Sequence, residues 1–162
     1  MAEVAIEDVG IAVLVDAARV ASRNAHAPYS RFAVGAALLL ADGQIVTGAN
    51  FENASYGLSL CAETVALATV NSSGRLADVV AVAVTGGAMG SAGGLGGGAT
   101  GETVCRPCGR CRQILNEAAQ IVGRDLPIYC AAPEGDAVEK HMLSALLPFA
   151  FGPADLGIGN KH

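Results

Sequence analysis

Residues 32–48 read FAVGAALLLADGQIVTG, and they contain the clearest secondary-structure signal in the chain. An apolar run extends from Phe32 to Leu40, and a second, shorter one begins at Ile45. The Asp42-Gly43 pair between them is a strong signal for a tight hairpin turn. The segment therefore predicts two neighbouring antiparallel strands.

Apolar periodicity on both sides of the hairpin predicts helices and further strands. The helices are expected over about 6–24, 61–71, from Pro107 to a stop at Gly123, and 142–147; the strands are expected over 79–84 and 127–130. Strands that alternate with helices favour a layered arrangement. The sequence predicts one domain, residues 1–162, with a three-layer α/β/α sandwich and a mixed central sheet.

A glycine-rich tract interrupts this pattern. Residues 86–101 contain nine glycines, which makes regular structure costly. A phosphate-binding loop would end in Gly-Lys-Ser/Thr, and no such ending follows the tract. We expect a flexible surface insertion at about 86–103 with no part in catalysis.

Composition and charge exclude several classes of protein. The chain of 162 residues is 52% hydrophobic and only 15% charged, with a net charge of −5. An apolar surface favours contacts between subunits, and an acidic chain is a poor partner for nucleic acid. The acidic start from Met1 to Asp8 does not resemble a signal peptide, and no apolar run reaches the ~18 residues of a membrane span. We expect a cytoplasmic protein with no membrane attachment and reduced cysteines.

Three cysteines at two predicted helix starts suggest a metal site. Cys108 and Cys111 lie three apart on one helical face, and Cys61 can complete a trio. Catalytic zinc sites use three protein ligands and structural sites use four, so Cys105 leaves the count open. Glu63 is a poor ligand at two residues from Cys61, but it can reach a water beyond the helix end and shuttle protons.

Two other interpretations of the cysteines stay open on spacing alone. Cys61, Cys105, Cys108 and Cys111 can form a closed structural zinc site, in which Glu63 is only a solvated first-turn carboxylate. A redox role for the Cys-x-x-Cys pairs is weaker, because such a pair usually follows a strand and needs no partner at position 61.

Two motifs carry a family resemblance. Cys61-Ala62-Glu63 and Pro107-Cys108-Gly109-Arg110-Cys111 match the zinc deaminase signature in its three-cysteine form. Blocks at 32–38, 50–56 (NFENASY), 107–113 (PCGRCRQ) and 146–151 occur in the same order as in the small homotetrameric cytidine deaminases, which the chain resembles from about residue 28 to 156.

This resemblance implies an activity and a set of site residues. Cys61, Cys108 and Cys111 would hold Zn²⁺, and Glu63 would be the catalytic proton shuttle. The reaction would be hydrolytic deamination of cytidine and deoxycytidine to uridine and deoxyuridine in pyrimidine salvage, in a homotetramer with shared active sites. The implied substrate contacts are Phe32, Asn50, Glu52, Ala54, Tyr56, Ala62 and Phe151, the last in a neighbouring subunit.

The chain departs from the family pattern at two positions. Thr64 stands where many relatives carry an arginine, so compensation of the thiolate charge is expected from Arg106, Arg110, Arg112 or the helix ends. Cys105 falls where the family needs no ligand, and we expect a free thiol. The alternatives are a blasticidin S type deaminase, which lacks the 50–56 block, and a non-catalytic zinc-stabilised assembly protein.

Overall fold

A computed structural model describes residues 10–90 and 103–158. Its strands are β1 (Phe32–Leu40), β2 (Ile45–Ala49), β3 (Val79–Ala88), β4 (Pro127–Ala131) and β5 (Val138–Met142). Its α-helices are α1 (Ile11–Ser22), α2 (Ala62–Ser72), α3 (Gly109–Val122) and α4 (Leu143–Leu146). Single 3₁₀ turns cover Tyr56–Leu58, Leu76–Asp78 and Pro153–Leu156. Within the described ranges, no helix combines the length and the apolar character needed to cross a bilayer.

One mixed sheet of five strands, in the order β2-β1-β3-β4-β5, forms the middle layer. The predicted hairpin is confirmed, because β1 and β2 pair antiparallel with Leu38 opposite Val46. β3 and β4 are parallel, whereas β1 with β3 and β4 with β5 are antiparallel. The single parallel pair requires a crossover, and α3 lies in the connection between its two strands.

Alternation along the strands fills a core on each face of the sheet. Leu39, Ala83 and Tyr129 pack with α1 on one face. Leu38 and Val82 belong to the cluster on the other face, which includes buried residues of α2 and α3. Successive strand side chains point to opposite faces, so two apolar faces need two helical layers. The predicted three-layer α/β/α sandwich is confirmed.

A close backbone approach places α2 against the hairpin. A Cβ atom at Gly48 in β2 would lie 2.5 Å from the Ala62 carbonyl oxygen and 2.5 Å from the Ala66 backbone nitrogen. Real Cβ contacts do not reach such distances, so only glycine lets the first turn of α2 lie directly on the strand. The predicted helix start at Cys61 is thereby held at the sheet.

The prediction for the glycine-rich tract was wrong at its beginning. Gly86 and Gly87 lie in β3, opposite Val34 and Ala33 of β1. A Cβ at Gly86 would sit 3.0 Å from the Phe32 ring, so this glycine relieves crowding inside a strand. Residues 91–102 of the tract lie outside the described residues.

Three other boundaries differ from the predictions. α3 begins at Gly109 after an N-cap at Cys108, so Pro107 precedes the helix instead of opening it. β5 was not predicted, and Met142 ends that strand instead of beginning the last helix. α1 begins at Ile11 after an N-cap at Gly10 and ends at Ser22, before the predicted end at Asn24; residues 6–9 of the predicted helix lie outside the described residues.

Candidate active site

Two cysteines occupy equivalent positions at two helix ends. Cys61 is the N-cap of α2 and Cys108 is the N-cap of α3, both in extended backbone conformation. Cys111 lies in the first turn of α3 and is fully buried. Helix N-termini carry partial positive charge, which favours thiolates at all three positions.

The three sulfur atoms form a compact group. All of them lie within 4.8 Å of one another, and the Sγ atoms of Cys61 and Cys108 are 3.9 Å apart. Tetrahedral zinc with ~2.3 Å Zn–S bonds separates neighbouring sulfurs by a similar distance, about 3.8 Å. The donor set therefore fits zinc with three protein ligands. Among the described residues, Cys105 is not part of this group.

The trio readily holds one negative charge without metal. Hydrogen bonding from the Cys111 thiol, aided by Cys108 and by the charge of Arg110, lowers the pKa of Cys61 to about 6, against the opposing effect of burial. The same hydrogen bond and burial raise the pKa of Cys111. The two shifts have one origin, since a single thiolate is stabilised by a neighbouring thiol that must stay protonated.

Glu63 is a buried carboxyl beside the sulfur group. It is the second residue of α2 and only 3% exposed. Burial raises its pKa above the ordinary value, because the charged form loses its hydration. A raised pKa brings a carboxyl closer to neutral pH, where it can both accept and return a proton.

A cavity of about 310 Å³ opens over the sulfur group. It is lined by Phe32, Val34, Asn50, Glu52, Ser59, Leu60, Cys61, Glu63, Cys105, Arg106 and Cys108. Six of the predicted site residues thus share one cavity: Phe32, Asn50, Glu52, Cys61, Glu63 and Cys108. The cavity combines an aromatic ring, an amide, two carboxyl groups and three thiols, the third from Cys105.

Backbone hydrogen bonds hold the two polar residues of the 50–56 block. Asn50 Oδ1 accepts from the Val34 amide at 2.8 Å, and its Nδ2 donates to the Phe32 carbonyl at 2.9 Å. Glu52 Oε2 accepts from the backbone amides of Tyr29 (2.9 Å) and Ser30 (3.2 Å). Hydrogen bonding, chiefly from Ser30, keeps the pKa of Glu52 below its usual range. Both side chains are therefore oriented before any ligand binds.

Five predicted site residues are not among those that line the cavity: Ala54, Tyr56, Ala62, Cys111 and Phe151. Ala62 and Cys111 are buried in the first turns of α2 and α3. Tyr56 is 74% exposed and meets the Tyr29 ring edge-on at 5.5 Å. Phe151 is 59% exposed, and its carbonyl accepts from Gln113 Nε2 at 2.8 Å. Within this chain, Tyr56 and Phe151 are thus exposed and do not line the cavity.

The arginines considered for charge compensation have different partners. Arg110 donates to the Ser59 carbonyl at 3.4 Å and is near enough to lower the pKa of Cys61. Arg106 lines the cavity but pairs with Glu139. Arg112 donates to the carbonyls of Pro107 and Leu146. Of the three, Arg110 is the one whose charge lowers the pKa of Cys61.

Thr64 and Glu139 add contacts that sequence reasoning missed. The hydroxyl of Thr64 lies 3.9 Å from the Cys111 sulfur, where the two can share a hydrogen bond. Glu139 was missed because β5 was missed. Residues 138–142 do not alternate between apolar and polar side chains, so hydrophobic periodicity gave no signal for that strand.

Sequence comparisons agree with this geometry. A family model for the cytidine and deoxycytidylate deaminase zinc-binding region matches residues 11–123. The cytidine deaminase of Halalkalibacterium halodurans is 42% identical over 144 residues, covering 89% of this chain and 96% of that protein. The cytidine deaminase of Mycobacterium tuberculosis is 42% identical over 138 residues, covering 84% and 85%.

Solved structures show the same fold. The crystal structure of a cytidine deaminase from Burkholderia pseudomallei matches with a TM-score of 0.71 at 37% identity, covering 88% of this chain and 99% of that one. That of the Mycobacterium tuberculosis enzyme matches with a TM-score of 0.64 at 38% identity, covering 87% and 96%. The predicted zinc cofactor is confirmed by the zinc-binding family model together with the three-sulfur group. The chain belongs to the cytidine and deoxycytidylate deaminase family.

Proposed function

We propose that this protein hydrolyses cytidine and deoxycytidine to uridine and deoxyuridine with release of ammonia, in pyrimidine salvage. The observation that carries the proposal is one cavity that contains the buried carboxyl of Glu63 and two sulfurs of the metal group. Relatives named cytidine deaminase, matched over most of the chain, support the choice of substrate.

Glu63 moves the protons of this reaction. Zinc, when bound by the three thiolates, supplies a Lewis acid that makes a water nucleophilic near neutral pH. The Glu63 carboxylate accepts a proton from the water and gives it to ring nitrogen 3 while the water oxygen bonds to carbon 4. It then accepts the remaining proton of the hydroxyl at carbon 4 and gives it to the amino group, which leaves as ammonia as the carbon–nitrogen bond breaks. Its raised pKa favours the protonated form that both proton donations need. One carboxyl therefore serves as base and then as acid.

The remaining cavity residues orient the nucleoside. Asn50 and Glu52 bind the sugar, because a held amide can donate to or accept from a sugar hydroxyl and a held carboxylate can accept from one. Phe32, 42% exposed at the cavity, packs against the base. Ala62 offers its backbone amide to the base carbonyl from the first turn of α2, where helix amides have no partner within the helix.

Uridine or ammonia release from cytidine by purified, metal-analysed protein tests the reaction. Glu63→Gln keeps the size of the side chain and removes the proton carrier, so we expect kcat to fall by at least about a thousandfold while the zinc content is unchanged. Glu117→Gln, an exposed change on α3, is the matched control and should keep full activity.

The other outcomes identify the alternatives. Full turnover by Glu63→Gln contradicts the proton-shuttle mechanism. If the unsubstituted protein holds one zinc per chain but releases no uridine, its substrate is a different cytosine nucleoside, as in blasticidin S deaminases. If Glu63→Ala then leaves every property intact, a non-catalytic zinc-stabilised assembly is the better description.

We infer that four copies of this single domain form a homotetramer with shared sites. Exposed apolar side chains near the sequence blocks support it: Tyr56 is 74%, Leu58 65% and Phe151 59% exposed. Contacts from Ala54, Tyr56 and Phe151 then reach a neighbour's cavity. Sedimentation analysis should give the mass of four chains. Phe151→Ala should raise KM for cytidine while the free energy of unfolding stays nearly unchanged. A fully active monomer contradicts the shared-site proposal.

We also infer a cytoplasmic location. All five cysteines are free thiols, and three of them make up the metal group. Free thiols persist in the reducing cytoplasm, whereas oxidising compartments convert exposed thiols such as that of Cys108 to disulfides. Fractionation of cells that express the protein should recover it with cytoplasmic markers.

A further inference from the structure

The segment that carries one metal ligand is not part of any helix or strand. Residues 105–108, here called the ligand segment, lead into α3 and end at Cys108, whose thiol is exposed. Cys105, Arg106 and Cys108 all line the cavity. The position of one ligand therefore depends on whatever holds this irregular backbone in place.

An arginine side chain attaches the segment to the edge strand of the sheet. Arg106 Nη2 donates to Glu139 Oε1 at 2.7 Å and to Oε2 at 2.6 Å, and its Nε donates to Oε2 at 3.0 Å. Two nitrogens on both carboxylate oxygens are the strong, geometrically defined form of an ion pair. His141 Nε2 lies 2.8 Å from Glu139 Oε2, the oxygen that both Arg106 nitrogens also contact, and adds a third partner that orients the carboxylate.

Strand pairing gives this group a rigid base. Glu139 and His141 lie two apart on one face of β5, and Glu139 stands opposite Cys130 of β4. The same face of the sheet contacts the ligand segment, because Cys105 packs against the core cluster that contains Cys130. The segment's backbone is tied at both ends: the Cys105 amide donates to Ala131 at 3.1 Å, and the Pro107 carbonyl accepts from Arg112 at 2.8 Å.

We propose that Arg106, Glu139 and His141 form a clamp that holds Cys108 in the geometry the metal requires. Arg106 and Glu139 are positioning residues. The pairing also neutralises the one cation among the residues that line the described cavity, so the clamp positions the segment without presenting a free positive charge to the substrate. The effect on turnover rests on the proposed function, whereas the effect on the metal does not.

If the clamp holds Cys108, its removal should weaken metal retention without a large loss in the stability of the domain. Arg106 and Glu139 are 46% and 40% exposed, and ion pairs so exposed contribute little to the stability of a whole domain. Partners that orient metal ligands change metal affinity or activity by about 10–100-fold when removed. Removal of the clamp should therefore loosen one ligand in a domain that remains folded.

Zinc release to a chromogenic chelator from the loaded protein is the decisive measurement. Arg106→Met and Glu139→Gln should each release zinc about tenfold faster, with kcat for cytidine reduced by a similar factor and KM nearly unchanged. Arg75→Met is the matched control: it breaks comparable contacts to Asp42 (2.9 Å) and Asp78 (2.7 Å) at the other end of the sheet. It should leave zinc release unchanged.

A charge-swapped pair separates positioning from general damage. Arg106→Glu alone should release zinc faster than the unsubstituted protein. Adding Glu139→Arg to it should bring the release rate most of the way back to that of the unsubstituted protein. Zinc release that is equally fast in Arg106→Met and Arg75→Met overturns the clamp, as does identical release in Arg106→Met and the unsubstituted protein. Faster zinc release from Arg106→Met in a protein that does not deaminate cytidine supports the clamp and contradicts only the proposed function.

Discussion

The two N-cap cysteines have the same local conformation but are held by different physical means. Cys61 precedes a helix whose first turn lies on Gly48 and whose Ala62 and Ala66 are fully buried. Cys108 is exposed, and the ligand segment before it is held by hydrogen bonds and the Arg106–Glu139 ion pair. We call the first of these, residues 61–66, the packed segment.

One coordination geometry can therefore combine a ligand fixed by the core with a ligand fixed at the surface. Close packing is lost only when the domain deforms, because a core side chain has many simultaneous neighbours. A surface clamp can open while the rest of the molecule stays folded, because exposed polar contacts exchange with water. The ligand segment is therefore the place where metal retention can be changed independently of folding.

Thiol chemistry should show the largest contrast between the two segments. In metal-free protein, Cys61 has a pKa of about 6, so it is mostly thiolate at pH 7 and loses reactivity as the pH falls below 6. Burial raises the pKa of Cys105 to about 12, so it stays a thiol. Iodoacetamide should label Cys61 about a hundredfold faster or more, because the larger thiolate fraction outweighs the weaker nucleophilicity of a low-pKa thiolate.

Peptide mass spectrometry after short exposures measures both labelling rates. Zinc-loaded protein is the control, since metal-bound Cys61 should be protected. Faster labelling of Cys105 than of Cys61 would contradict this prediction, because the more reactive thiol would then lie in the ligand segment.

Gly48→Ala should destabilise the packed segment. The added methyl would meet the Ala62 carbonyl and the Ala66 amide at 2.5 Å, so α2 must move away from β2. We expect a loss of about 2 kcal/mol in the free energy of unfolding, as for other overpacked cores. Urea denaturation measures it.

Gly57→Ala is the control for that change, because nothing lies within 4 Å of the Cβ it would add. Its free energy of unfolding should stay within about 0.5 kcal/mol of the unsubstituted protein. Equal urea-unfolding midpoints for Gly48→Ala and Gly57→Ala would show that the close approach at Gly48 does not contribute to stability.

Thr64→Val tests the contact that joins the two sides of the site. The change keeps the shape of the side chain and removes the hydroxyl 3.9 Å from the Cys111 sulfur. A hydrogen bond of ordinary strength corresponds to about a fivefold decrease in zinc affinity, measured by competition with a chelator. Thr64→Ser keeps the hydroxyl and should bind zinc normally. Equal affinity for both variants would remove Thr64 from the site.

Local chemistry made much of the site predictable from sequence. The spacing of Cys61, Glu63 and Cys108 is informative because ligands at helix starts are arranged by the helices themselves. The hairpin at 32–48 was equally predictable, since its turn and its apolar runs are adjacent in the chain. The family resemblance added the cavity residues Phe32, Asn50 and Glu52, which spacing alone did not suggest.

Features that depend on distant partners were not predictable. Glu139 meets Arg106 across 33 positions, and it does so from a strand whose short, charged sequence gives little β signal. Gly86 looked like part of a flexible tract, but it lies in β3. There the Phe32 ring of β1 leaves little room for a side chain, which explains the glycine. In both cases the tertiary fold brings the residue next to the neighbour that explains it, Arg106 for Glu139 and Phe32 for Gly86.

β5 also has a consequence for self-association. Among the described strands it has one neighbour, β4, so the other side of its backbone can pair with a further extended chain. Glu139, Lys140 and His141 occupy its middle, and charged side chains there oppose the addition of a further strand. The residues that orient a metal ligand thus also protect the open border of the sheet against aggregation.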